Sequence, residues 1–346
     1  MNRSRQIEMF EGHGLVADGV TVLRDFGHPT RGIVRCPAAP LVRAWLHRRG
    51  VSARLGEYAR PGTPVGHDPL TVSLVSYLEP AGQAIGIAVA TPPGLAWLGR
   101  ETVEDWSRVL RTRRVLVPGG AGTGDGGGCR GLGDCRHGEV AARLVTAYRE
   151  RGDLVLLVGS PDGAAEGEWA EDLLRAGEVV AVRETGEVAG LAAGVGEERV
   201  SYVVHPGAVV EEVAVLLAAL RERFPRLRGQ HPDQWCYAAS DRRHALEAVS
   251  ELSDLVLALG EQDAARLTRV AGRAARPVAG LADLLPELLA PAATVGLLPP
   301  RPGGGPTVGE MVEVLSGLGP ISLLEQRSLS EVRTDVSAGR GPGVRR

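Results

Sequence analysis

One phrase recurs along this chain: a cysteine, a helix-forming stretch, a short apolar strand and a glycine. Cys135 is followed by RHGEVAARLVTAYRERGDLVLLVG, which reads as a helix, a stop at Gly152 and the strand Leu154–Val158. Cys236 is followed by YAASDRRHALEAVSELSDLVLALG, with a helix, an acidic turn and the strand Leu255–Leu259. After Cys36 comes PAAPLVRAWLHRRG, an amphipathic stretch that ends at Gly50. The three cysteines stand 99 and 101 residues apart, so the chain divides into three thirds of similar size, each with one thiol. Residues 199–204 read as extended and 209–223 as helical. Repeated β-α units of this kind predict an α/β fold, with parallel sheets and helices on both faces.

This reading divides the chain into an N-terminal extension (1–29) and three α/β units (30–134, 135–230 and 231–337). A disordered tail (338–346) follows. A cysteine that opens a helix in such a unit sits at the carboxyl end of a strand, where open α/β sheets hold ligands. The helix N-terminus also favours the thiolate. An isolated cysteine is as a rule a small buried apolar side chain. Three at even intervals, each opening a helix, point instead to three units about a pseudo-threefold axis whose thiolates meet at one centre. Three thiolates suit a [4Fe–4S] cluster with one open iron. Cys129, in a Gly-rich segment, is a spare ligand or a loop residue.

Composition narrows the chemistry. All 39 basic residues are Arg, which excludes a Schiff-base lysine and a Walker-type P-loop. With 42 acidic residues the net charge is −3, against a chain that coats nucleic acid or anionic lipid. No apolar run is long enough to span a bilayer, and the N-terminus lacks a secretory signal, so the expected location is the cytoplasm. The glycines of RVLVPGGAGTGDGGG follow a strand but open no helix at once, as a dinucleotide fingerprint does.

The segment QWCYAASDRRHAL (234–246), with the following DLVLALG, resembles the third cysteine segment of the LytB/IspH family, the 4-hydroxy-3-methylbut-2-enyl diphosphate reductases. That family reads CYAT-x-NRQ-x-A there. VSYVVHPGAVVEEVAVLLAALRERFPRL resembles the stretch before it, and GLGDCRHGEVAARL and TRGIVRCPAA resemble the other two cysteine segments more loosely. The resemblance runs from about Thr30 to Ser337. It implies a trefoil of three α/β units around a [4Fe–4S] cluster held by Cys36, Cys135 and Cys236. It also implies a place in isoprenoid biosynthesis, through two-electron reductive removal of an allylic hydroxyl. A small-molecule substrate and a ferredoxin or flavodoxin donor would be the partners of a monomer.

The departures bear on substrate. The resemblance makes His67, in VGHDP, a substrate-orienting histidine, but the family's SAHG becomes VATPPG, with Thr91 at the histidine position. GHxxHPEVxGT becomes GSPDGAAEGEW, leaving Asp162, Glu166 and Glu168 as the nearby carboxylates, with Glu166 the candidate proton donor. TQTT becomes VHPG and sets His205 at a substrate-facing position. A later Ser/Asn motif becomes GEQDAARL, acidic at Glu261 and Asp263. Diphosphate needs several converging charge-assisted donors, so the expectation is an altered, non-diphosphate substrate. His137 and Glu139 beside Cys135 are helix N-terminal residues or outer donors to the cluster. His231 and Trp235 either shield the cluster or simply pack. The alternatives are an iron–sulfur binding or sensor protein of the same fold without turnover, and a cluster-free nucleotide-binding protein.

Overall fold

The computed structural model describes residues 7–14, 19–58, 68–79, 81–119, 136–161, 168–191, 199–260, 275–299 and 305–328. The chain folds into two compact units, Met1–Gly124 with Ala245–Gln326, and Asp125–His244 with Arg327–Arg346.

The first unit carries two sheets. One has six strands in the order β1-β5-β6-β3-β2-β4. These are β1 (Glu8–Gly14), β2 (Val20–His28), β3 (Gly32–Arg35), β4 (Ala53–Tyr58), β5 (Asp68–Leu78) and β6 (Ala84–Thr91). The stretch read as an extension, 1–29, thus supplies β1 and β2, and the apolar run in VTVLRDF buries Val20, Val22, Leu23 and Phe26. This sheet departs from the all-parallel expectation. β1, β5 and β6 are antiparallel neighbours, β2 runs antiparallel to β3 and β6, and only β2–β4 and β3–β6 are parallel. The physical reason is the connections. β5 returns through a tight turn in which Glu79 N–H donates to Gln83 O (2.9 Å) and Gly82 N–H to Glu79 O (2.8 Å). β2 returns to β3 through a turn whose Thr30 and Arg31 N–H groups donate to His28 Nδ1, each at 3.1 Å. Turns this short permit only antiparallel pairing.

The other sheet of this unit is wholly parallel, in the order β13-β12-β14-β7-β15. Its strands are β7 (Arg113–Pro118), β12 (Leu255–Leu259), β13 (Arg276–Val278), β14 (Thr294–Leu298) and β15 (Ile321–Gln326). Four of the five follow Cys236 in sequence, while β7 comes from the first third of the chain. Helices α1 (Ala39–Arg48), α2 (Ala96–Ser107), α8 (Pro286–Leu289) and α9 (Val308–Ser316) complete the unit. One continuous core runs from Val20 to Leu318 and includes Cys36, Trp45 and Trp106.

The second unit holds the four-stranded parallel sheet β11-β10-β8-β9. Its strands are β8 (Leu154–Val158), β9 (Val180–Val182), β10 (Val200–Val204) and β11 (Arg228–Gly229). Here the sequence pattern is followed closely. β8 and β10 are apolar runs flanked by helices, which is how a parallel strand buried on both faces reads. α3 (Arg136–Glu150), α4 (Glu168–Arg175), α5 (Thr185–Gly190) and α6 (Val210–Arg223) alternate with them, and α7 (Ala238–Glu251) follows β11, its residues from Ala245 onward belonging to the first unit. Leu216, Leu217 and Leu220 of α6 pack on Leu156 and Val204, and Ala141 and Val145 of α3 pack with Val155 and Val203.

Candidate functional site

The carboxyl ends of β8, β9 and β10 form a cleft of about 110 Å³, lined by Leu157, Gly159, Pro161 and Ala181 among others, with Glu171, Arg183 and His205 as its polar residues. Strand ends of a parallel sheet leave backbone and side chains pointing outward without a further rung, which is why ligand sites gather there. Gly159 allows the close approach on one side. It has φ +95°, and a Cβ on it would lie 2.8 Å from Ala208 Cβ and 2.9 Å from Val213 Cγ2. His205 is 4% exposed, and its backbone N–H donates to Val158 O at 2.9 Å. The imidazole Nδ1 lies 2.8 Å from Pro206 O. A carbonyl only accepts, so Nδ1 carries the proton and Nε2 is the basic nitrogen. Glu171 is ion-paired with Arg175 (3.0 Å), and among the described lining residues Arg183 is the cation.

Cys236 lies in the same unit. It is buried, not in a disulfide, and separated from α7 by Tyr237 alone. A 3-10 turn, Pro232–Gln234, precedes it and is capped by the exposed His231, which lies 3.2 Å from Asp233. Trp235 is buried and its indole N–H donates to Gln230 O at 3.2 Å. Cys36 belongs to the first unit. It follows β3 and precedes α1, is 2% exposed, and its backbone N–H donates to Arg24 O at 2.7 Å. Burial, then the charge of Asp25, push its thiol far above the ordinary range. This burial favours the neutral thiol at Cys36, against the thiolate expected at a helix N-terminus, because desolvation outweighs the weak helix field. A metal would take the place of that proton.

Cys135, Cys129, His67, Asp162, Glu166, Glu261 and Asp263 lie outside the described residues. Glu168 opens α4, but its side chain is outside them too. Thr91 is fully buried and its hydroxyl donates to Thr71 O at 3.4 Å. His137 and Glu139 stand in the first turn of α3, the first half-buried and the second exposed. Among the described residues, no three His, Cys, Asp or Glu side chains gather into a metal site. The donor chemistry of the two described thiols nonetheless fits an iron–sulfur cluster. Both are buried, neither is oxidised to a disulfide, and each stands just before a helix. Arg183 was not legible as a cleft residue; it would follow from the strand-end rule had β9 been recognised.

An α/β protein with a polar cleft at the carboxyl ends of a parallel sheet, and a buried cysteine one residue ahead of a helix, is the class that fold and site define. Over 207 residues, 56% of the chain, it is 30% identical to 4-hydroxy-3-methylbut-2-enyl diphosphate reductase 2 of Mycobacterium bovis, and equally to the corresponding reductase 1 of Mycobacterium tuberculosis. The match covers 59% of each of those proteins. A reductase of Acinetobacter baumannii is 28% identical over 128 residues, 36% of this chain and 40% of that one. The chain is thus similar to named 4-hydroxy-3-methylbut-2-enyl diphosphate reductases over 56% of its length. No family model matches it. The solved E-1-hydroxy-2-methyl-but-2-enyl-4-diphosphate reductase of Plasmodium falciparum aligns with a TM-score of 0.42 at 17% identity, covering 57% of this chain and 64% of that one.

Proposed function

We propose that the protein is an iron–sulfur reductase that removes a hydroxyl from an allylic, isoprenoid-like substrate. The observation that carries this reading is the 30% identity to named diphosphate reductases over 207 residues. Cys36, Cys135 and Cys236 would hold a [4Fe–4S] cluster with three cysteine ligands and one open iron. When bound, the cluster supplies the electrons. Two electrons, drawn from a ferredoxin or flavodoxin, and two protons convert the C–OH bond to C–H and release water.

The remaining tasks fall to side chains. His205 orients the hydroxyl-bearing end through its basic Nε2, with the Pro206 carbonyl holding the tautomer. The resemblance gives His67 the same orienting task and makes Glu166 the proton donor. A substrate other than a diphosphate is favoured by Thr91. At the position of a family histidine it is fully buried, with its hydroxyl turned to a backbone carbonyl. A cleft of about 110 Å³ whose described lining carries one cation, Arg183, also suits a small or weakly anionic group better than two phosphates. The test is anaerobic purification followed by spectroscopic titration. A C5 allylic alcohol or carboxylate is expected to perturb the cluster spectrum and to be turned over with reduced ferredoxin. Turnover of the diphosphate alone would overturn the altered substrate, and no turnover of any allylic alcohol would overturn the reductase.

A further inference from the structure

We infer that Gln230 is a positioning residue that holds Cys236 and His205 in one fixed frame; the inference rests on Cys236 being a ligand residue, as proposed above. Gln230 is 2% exposed. β11 is only two residues long and pairs with β10 at Ser201 and Tyr202. The backbone beyond it turns away into the Pro232–Gln234 turn, so a further rung on β10 has no strand to supply it. The Gln230 side chain supplies it: Oε1 accepts from Val204 N–H at 2.9 Å. The other end of the same amide donates from Nε2 to Gln234 O at 2.8 Å. One planar group thus joins the residue before His205 to the residue two before Cys236.

The backbone of Gln230 is tied to the same two segments. Its N–H donates to Tyr202 O (3.2 Å), and its carbonyl accepts from the Tyr202 hydroxyl (3.1 Å) and from Trp235 Nε1 (3.2 Å). A primary amide offers one acceptor and one donor at this reach, which a carboxyl does only while protonated. Gln230→Glu keeps the acceptor for Val204 but sets a carboxylate against the Gln234 carbonyl, and Gln230→Leu offers neither. Burial makes both losses felt, because water does not replace the missing partner.

The test reads the Cys236 thiol directly in the cluster-free protein, by peptide-resolved alkylation under native conditions. Gln230→Glu and Gln230→Leu are expected to label at Cys236 at least tenfold faster than the wild type. Labelling at Cys36, in the other unit, is expected to stay unchanged. After anaerobic reconstitution the same variants are expected to lose iron to a chelator at least tenfold faster and to show a shifted cluster spectrum. Asp153→Ala, which breaks the Ser201 and Arg151 contacts at the amino end of the same sheet, is the control for a general loss of stability. It is expected to lower the melting temperature without moving Cys236 labelling in the folded protein. If the Gln230 variants do not fold, Trp235→Phe, which removes a single donor to Gln230, is expected to give a smaller acceleration of the same sign. Wild-type labelling rates in folded Gln230 variants, or in Trp235→Phe should those not fold, would overturn the inference. A wild-type protein that binds no iron while the labelling pattern holds would instead overturn the cluster reading alone.

Discussion

Arg113 is the largest buried charge in the first unit, 1% exposed, and its guanidinium donates to backbone carbonyls of Val109 (2.6 Å), Leu289 (3.1 Å) and Leu318 (3.2 Å). It thereby fastens the preceding turn at Val109 and two distant segments, at Leu289 and Leu318, around β7. Hydrogen bonds to a buried charged group are worth roughly 1.5–3 kcal/mol each, and carbonyls left without donors add a desolvation cost. Arg113→Met should therefore lower unfolding free energy by about 3 kcal/mol or more in denaturant titration. By contrast Arg175→Ala, which breaks exposed pairs with Glu171 and Asp172, should leave it nearly unchanged. Asp254 makes a pH prediction. Its carboxylate accepts from Thr294 N–H (2.8 Å) and Ala293 N–H (2.9 Å), and these bonds hold it below the ordinary carboxylate value of 3.8. A depressed pKa contributes stability that is present above the unfolded value and lost as pH falls through the folded one. Asp254→Asn should flatten the loss of stability below about pH 4 seen by thermal melts across pH, and an unchanged acid limb would remove that role.

At the scale of elements, Gly159 at the end of β8 is the position where the site depends most on backbone conformation. Its positive φ and the near contacts with Ala208 and Val213 mean that Gly159→Ala meets both strain and collision. The expected loss is on the order of 2 kcal/mol by denaturant titration, with the 205–208 segment displaced. A variant as stable as the wild type would show that the segment gives way freely. The helices and strands of the second unit were legible because blocks such as LVLLV and VSYVV are bounded by glycine or polar turns and flanked by amphipathic stretches. The sheet membership of β7 was not. Its partners β14 and β15 lie roughly 180 and 210 residues further along, and no local pattern encodes so distant a pairing. The mixed first sheet was missed for a related reason, since its hairpin turns carry weak signals while its strands read simply as apolar. In the site, His205 was legible because it ends a plain apolar strand. Gln230 was not, since its amide binds backbone groups that only the folded chain brings within reach.

For the molecule as a whole, no helix among the described residues is long and apolar enough to cross a membrane. The central proposal is that Cys36, Cys135 and Cys236 act as a single ligand set, and the cysteine spacing and the match to named reductases are what support it. The most direct measurement is iron and acid-labile sulfide in protein purified without oxygen, for the wild type and for each cysteine replaced by serine in turn. The account predicts about four irons and four sulfides per chain, lost in Cys36→Ser, Cys135→Ser and Cys236→Ser and kept in Cys129→Ser. Colourless wild-type protein without iron, or full iron content after replacing any one of the three, would contradict it.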